Sequence, residues 1–456
     1  MTRRPMRAAL LLPLLLAGCM PAITPRPETS MIAPPADWRT APPATGETDR
    51  SWWTGFGDAQ LAALVEQARV NNVDLAIAAA RVAEARAQER VSRSLLLPGL
   101  SANIPGAESR SVNAFGTPTE SFAAQPAFQA SYEIDLFGRN AAQVEAARAN
   151  AAAVQAAREA AMLSVSAATA SSYITLLALD ERRELLTQTL ASRGEALRIA
   201  RDRAEAGYTS QLELRQSEAE YRATEQQIPP IEAAIARQEN ALSQLVGDTP
   251  HAIARGRDFA ALATPPVPGV LPSDLVRRRP DIAQSEYALA ATDANLRVAR
   301  AQFLPQVRLS ASAGAAISSA LPDPVSVWSI GGSILAPLFQ GGRLQGQFDS
   351  ATAQRDQAAF AYRRTVLAAF REVEDQLAVI DRLGAQEVAL LAQRAAVADT
   401  LRHATNRYRA GYSPYLEQID AQRALLAVDL AIIQLRADRL TAYVALYQAL
   451  GGGTAA

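Results

Sequence analysis

The stretch Tyr408-Arg-Ala-Gly-Tyr-Ser-Pro-Tyr-Leu-Glu-Gln-Ile-Asp420 decides how this chain folds. It reads as a tight helix-to-helix reversal. Gly411 can take the left-handed backbone that ends a helix, Pro414 suits the first turn of a new one, and long helical patterns lie on both sides. About two hundred residues upstream the turn recurs as Arg203-Ala-Glu-Ala-Gly-Tyr-Thr-Ser-Gln-Leu-Glu213. A hairpin used twice predicts an internally duplicated chain.

Working outward, the correspondence extends over both halves. Arg279-Pro-Asp281-Ile aligns with the Asp74 region, Phe303-Leu-Pro305 with Leu96-Leu-Pro98, and Pro337-Leu-Phe339 with Asp135-Leu-Phe137, at an offset of about 202 to 207 residues. Each half carries one very long helical segment, about 139 to 205 and about 343 to 409, poor in proline and glycine. At 1.5 Å per residue each is roughly 100 Å long. The return path of the first half should be a helix to about Val246, kinked by Pro229-Pro230. Leu426, Leu430, Ile433, Ala437, Leu440, Val444 and Tyr447 fall at spacings of four and three, as do Val366, Phe370, Val373, Leu377 and Ile380. That spacing predicts helices packed along a coiled-coil seam.

Strands precede each long helix. In Phe122 to Ile134 the apolar Phe122, Ala124, Phe128, Ala130, Tyr132 and Ile134 alternate with Gln125, Gln129, Ser131 and Glu133. Residues 100–110 form the partner strand and 111–121 the loop. In the second half Val307, Leu309, Ala311 and Ala313 alternate with Arg308, Ser310 and Ser312, and a further strand covers about 326 to 335. Period two argues strand; one apolar and one polar face over about ten residues suits a bilayer-spanning barrel, although a sheet on a soluble core alternates likewise.

Composition excludes several function classes. All basic residues are arginine, and the formal net charge is -1, which gives no electrostatic reason to expect nucleic acid. The dense run Arg277-Arg278-Arg279 is expected to be a solvated face. Two histidines, His251 and His403, and one cysteine leave little for a metal site or cofactor, and His403 is expected on a helix surface. No Ser/His/Asp arrangement or phosphate-binding glycine loop points to an enzyme.

The N-terminus reads as a targeting signal. Arg3, Arg4 and Arg7 precede the apolar run Ala8 to Leu16, and Leu16-Ala17-Gly18-Cys19 resembles a bacterial lipobox. The resemblance implies cleavage after residue 18 and a lipidated Cys19, with Met20 rather than an aspartate implying the outer membrane. Residues 19–50 then form a proline-rich linker, 51–250 the first repeat, 251–272 a proline-rich crossover and 273–453 the second repeat. No run of eighteen or more apolar residues follows the signal, so a membrane crossing is expected to use strands.

The lengths fit one another. The two returning pieces in each half, laid end to end, nearly match the long helix, with the crossover and Trp52-Trp53 at their joint. A helical wall with strands at one end and both glycine turns at the other follows. Four strands cannot close a barrel, and an open edge in lipid leaves backbone groups unsatisfied, so several copies must combine; three give twelve strands.

Trp53-x-x-Phe56-x-Asp58, Leu271-Pro-Ser-Asp-Leu-Val-x-Arg-Arg-Pro280-Asp281-Ile282, Ala299-Arg-Ala-x-Phe303-x-Pro305 and the two glycine turns carry a resemblance to the outer membrane efflux proteins of the TolC superfamily, NodT-type lipoprotein branch. The resemblance implies a mainly α fold with a membrane β-barrel portion: a homotrimer with a helical tunnel and a twelve-stranded barrel. Its implied partners are a periplasmic adaptor and an inner-membrane pump, its cargo small molecules. Both tip turns, Gly207-Tyr208 and Gly411-Tyr412, are implied adaptor docks. The family closes its tunnel just past the second turn. Asp420 matches an acidic gate position, Leu416 or Glu417 a second narrowing position, and Tyr408 a tyrosine of the closing network. Ser413 stands where some members have a gate arginine. Read without the resemblance, Glu417 and Asp420 are acids in the favoured first turns of a helix. A protein-secretion conduit and a purely structural lipoprotein are the alternative readings.

Overall fold

In the computed structural model residues 21–40, 51–112 and 114–452 are described. The signal segment and Cys19 lie outside the described residues. The order of elements is α1 (Ala59–Asn71), α2 (Val73–Arg93), β1 (Gly99–Asn103), β2 (Gly106–Val112), β3 (Pro118–Ala124), β4 (Ala127–Ile134), α3 (Arg139–Glu205), α4 (Gln211–Glu225) and α5 (Ile228–Leu245). There follow α6 (Pro272–Arg278), α7 (Pro280–Ala301), β5 (Gln306–Ser318), β6 (Val325–Leu335), α8 (Arg343–Arg409) and α9 (Tyr415–Ala449). α3 and α8 each hold 67 residues.

The chain forms two compact units. One comprises the described parts of Met1–Ile32 with Ala80–Gln155 and Gln284–Arg364; the other comprises Ala33–Ala79, Ala156–Ala283 and Thr365–Ala456.

The first unit holds the strands. Six segments form one antiparallel sheet but make only four passes of chain. Asn103 pairs with Ala127 and Gly106 with Ala124, so β1–β2 and β3–β4 keep one register across the interruption. Pro105 and Pro126 cause that interruption, since neither can donate to the ladder; the Pro105 carbonyl still accepts from Gln125 N at 2.9 Å. β4 pairs with β5 and β5 with β6, leaving β1 and β6 as edges. The first hairpin runs further than the sequence suggested, through Val112 on one arm and from Pro118 on the other, where a loop over 111–121 was expected. Gly314 is required by crowding: a Cβ there would lie 2.1 Å from the Pro126 carbonyl oxygen.

The expected linker is a docked strap over its described part. Residues 21–40 hold no α-helix or strand, as their prolines dictate, but α8 supplies donors for their carbonyls. In the first unit Arg355, 2% exposed, donates to Thr24 O at 2.7 Å and pairs with Asp356 at 2.8 Å. In the second, Trp38 Nε1 donates to Val270 O at 2.7 Å, with its ring edge-on to Phe370.

The second unit is helical and packed along the expected seam. Ile433, Ala437, Leu440, Val444 and Tyr447 are buried, as are Val366, Val373, Leu377 and Ile380. The aromatic segment Trp52–Phe56 closes it: Trp52 stacks on Tyr447 at 5.5 Å, and the Tyr447 hydroxyl donates to Pro266 O in the crossover at 2.7 Å. Asp58 caps α1 by accepting from Gln60 N and Leu61 N, and also accepts from Arg257 N at 2.9 Å and the Tyr173 hydroxyl at 3.4 Å. One short carboxylate thus pins three segments.

Four further expectations need correction. Arg279 is not solvated: it is 8% exposed, forks onto Asp281, donates to Ala449 O at 2.9 Å and meets Glu372 at 2.7 Å. The first-half return path is two helices, not one kinked helix; Pro229 and Pro230 occupy the first turn of α5, where their missing donors cost little, so the break falls before them. Pro414 sits at the N-cap of α9, one residue outside the helix. Finally, α3 does contain a window long and apolar enough to cross a membrane by length and composition, 50% of it buried in the protein. Interspersed Ser and Thr hid it from a search for unbroken apolar runs, and Thr169 and Thr175 return their hydroxyls to the backbone four residues earlier.

Candidate functional site: tip hairpins and a two-faced sheet

Both glycine turns have the same geometry. Gly207 has φ 78° and Gly411 φ 76°. Tyr208 N donates to Arg203 O at 2.8 Å, and Tyr412 N to Arg407 O at 2.9 Å, the six-to-one closure of a left-handed helix end. No atom crowds a Cβ at either glycine, so the positive φ alone demands the residue. Tyr208 and Tyr412 project from the turns, 85% and 80% exposed.

Beyond the turns the hairpins diverge. Tyr408, at the end of α8, donates its hydroxyl to Glu213 of α4 and packs on Tyr415 at 5.1 Å. Leu416 is exposed. Glu417 lies 3.9 Å from Arg407, and Asp420 lies 3.3 Å from Arg423. Glu417, Asp420, Asp399, His403 and Arg407 line one groove of about 610 Å3 between α8 and α9, with His403 exposed on its helix.

Asp420 also ends an ion network, buried at Arg193 and Glu220 and open at Arg423, that the sequence did not reveal. Arg423 donates to Glu220 through Nε at 2.8 Å, and Glu220 meets Arg193 at 3.1 Å. Arg193 further donates to Glu220 O at 3.0 Å and Thr224 Oγ1 at 2.5 Å. The hydrogen-bonded Glu220 carboxylate holds the Arg423 guanidinium above its ordinary range. The network therefore ties α3, α4 and α9 together. A signal for it existed: Leu186, Arg193 and Ala200 are seven apart and all buried, so an arginine occupies a seam position that ordinarily takes an apolar residue.

The sheet is polar on one face and apolar on the other. Register places Leu100, Phe128, Ala130, Tyr132, Ile134, Val307, Leu309, Ala311, Trp328, Ile330 and Ile334 on one side. Ser101, Gln129, Ser131, Glu133, Arg308, Ser310, Ser312 and Ser329 share the other, where Ser312 and Ser329 hydrogen-bond at 2.9 Å and Glu133 meets Arg139 at 2.6 Å. The apolar face stays open; Ile330 is 80% exposed. It ends toward the β2–β3 turn, where Arg110 and Glu120 pair at 3.5 Å on that same side.

Comparison with known proteins decides the family. The sequence profile described as outer membrane efflux protein matches residues 64–248 and again 271–452, once in each repeat. The chain belongs to the outer membrane efflux protein family. Among its relatives, the pyoverdine export outer membrane protein OpmQ of Pseudomonas aeruginosa is 33% identical over 463 residues, covering 96% of this chain and 95% of the relative. The cation efflux system protein CusC of Escherichia coli O6:H1 is 31% identical, covering 88% of each chain. The outer-membrane channel OprN superposes with a TM-score of 0.85 at 27% identity, covering 95% of this chain and 99% of that one. Outer membrane efflux proteins are transport proteins, and the two-faced sheet here has the amphipathic character that a barrel wall needs.

Proposed function

We propose that this protein is the outer-membrane channel of a tripartite efflux system, a passive duct for small molecules. The sheet carries the reading. Its continuous apolar face suits lipid, its serine-rich face suits water, and its β1 and β6 edges must be paired before it can sit in hydrocarbon. Three copies bring twelve passes of strand, enough for a water-filled lumen. A tethered coiled coil has no use for such a sheet. OpmQ and CusC are named for pyoverdine export and cation efflux, small cargo of unlike chemistry, which favours a duct whose selectivity lies in a partner pump.

The second hairpin is the proposed periplasmic gate. Asp420 and Glu417, repeated by threefold symmetry, would ring the opening with carboxylates, and Leu416 would narrow it. Tyr408 and Arg423 hold that hairpin against α4 through Glu213 and Glu220. The exposed turns Gly207-Tyr208 and Gly411-Tyr412 are the proposed adaptor docks, and Cys19 the lipid anchor. Purified protein should run as a heat-modifiable oligomer, its migration shifting on boiling, and should bind its adaptor less well after Tyr208→Ala with Tyr412→Ala. A chain that shows no β signal in detergent, and is freed from membranes by removing the lipid, contradicts the channel.

A further inference from the structure

Arg300 belongs to the motif Ala299-Arg-Ala-x-Phe303-x-Pro305, yet the duct described above gives it no task. It lies in the last turn of α7, where the chain leaves the helix for β5. With the first turns of α3 it walls a groove of about 400 Å3 lined by Phe137, Ala141, Glu145, Arg297 and Leu304 among others. Arg297 is neutralised by Glu145 at 2.6 Å. The Arg300 carbonyl accepts from Phe303 N at 3.2 Å, but its side chain makes no hydrogen bond or ion pair within the described residues, and its Nε is closed off from solvent without an acceptor. One guanidinium is therefore left without a bonded acceptor beside the apolar wall of Phe137, Ala141, Ala142 and Leu304.

The place of the groove in the sheet unit says what fills it. β4 ends at Ile134, shortly before α3, and β5 starts at Gln306, shortly after α7; Ile134 and Val307 begin the apolar face at that border. Leu136, Phe137, Leu338 and Phe339 stand exposed at the two junctions from strand to long helix. A border between an apolar band and helices is where lipid headgroups lie.

We propose that this groove binds a glycerophospholipid, its phosphodiester on Arg300 and its acyl chains along Phe137 and Leu304. The match is chemical: a planar guanidinium forks onto phosphate oxygens, and the adjacent apolar wall accepts chains. The proposal rests on the reading of the sheet as a membrane barrel. In the first repeat the corresponding arginine is Arg93, which has Glu89 at 3.5 Å and so lacks the free charge.

The test uses the full-length protein in nanodiscs of phosphatidylcholine doped with phosphatidylglycerol, extracted into mild detergent and weighed by native mass spectrometry. Wild type is expected to retain phosphatidylglycerol, and Arg300→Gln to retain about tenfold less. Arg110→Gln, on the distal hairpin, should match wild type, and millimolar inorganic phosphate should not displace the lipid. Equal retention in Arg300→Gln, or displacement by phosphate, overturns the proposal, the latter marking a free-anion site. Should Arg300→Gln fail to fold, a phosphatidylglycerol with a photoreactive acyl chain is cross-linked to wild type. Adducts at 137–142 or 301–304 support the site, and their absence there overturns it. A wild-type barrel without bound lipid sinks only this site; a protein that forms no barrel sinks the channel reading instead.

Discussion

At the scale of single residues, Tyr173 and Asp58 show how much one buried contact can hold. Tyr173 is fully buried; it accepts from Gly256 N at 2.8 Å and donates to Asp58. Burial pushes its hydroxyl up to about 12, with the Asp58 charge adding to the rise and the Gly256 hydrogen bond opposing it. An unfolded tyrosine ionises near 10, so the folded protein keeps that proton longer. The stability due to this group is full below about pH 10 and is lost as pH climbs to about 12, by roughly 2–3 kcal/mol. Helical melting curves across that range should fall less steeply for Tyr173→Phe, which should itself lose about 1–2 kcal/mol at neutral pH. Identical slopes would remove the hydroxyl from the account. Asp58 and Arg279 were visible in the sequence as motif members but not as buried ones, because the partners that bury them, Arg257 and Glu372, lie far along the chain. Likewise the sequence carries no local mark that pairs Arg193 with Glu220, which lie on different helices.

At the scale of elements, the two glycine turns were legible because a helix reversal leaves a local mark: glycine after a long periodic run. Gly411→Ala should destabilise its hairpin by about 1–2 kcal/mol through backbone strain alone, since nothing crowds the new methyl group. Faster amide exchange confined to the ends of α8 and α9 would show it; a uniform change across the chain would count against a local turn. Gly314 is a different case, a glycine demanded by a neighbouring strand. Gly314→Val should break the β4–β5 pairing and abolish heat-modifiable migration, whereas Gly331→Ala, with open space around it, should not. Strand existence was legible from alternation. The splitting of two passes at Pro105 and Pro126 was not, because the register survives the interruption and the apolar period runs straight through it. The break between α4 and α5 was misplaced for a related reason: two adjacent prolines can begin a helix as readily as kink one.

At the scale of the whole molecule, the duplication was the most legible feature, since equal offsets recur at several unrelated motifs, and the family profile matches once per repeat. The strap of residues 21–40 was not, because proline-rich chain carries no period, and its docking is dictated by arginines on α8. In the proposed function the assembled protein is a duct closed by the second hairpin. Arg423→Ala should loosen α9 from α4, leaving Glu220 with Arg193 alone, and Asp420→Ala should remove the Asp420 carboxylates from the proposed ring, leaving those of Glu417. The most direct measurement is single-channel conductance of the purified, heat-modifiable protein in planar bilayers. Wild type is predicted to give small, mostly closed channels that cations block, and Asp420→Ala severalfold larger ones with that block weakened. Folded protein that forms no channel, or an Asp420→Ala conductance and cation block indistinguishable from wild type, would contradict the account.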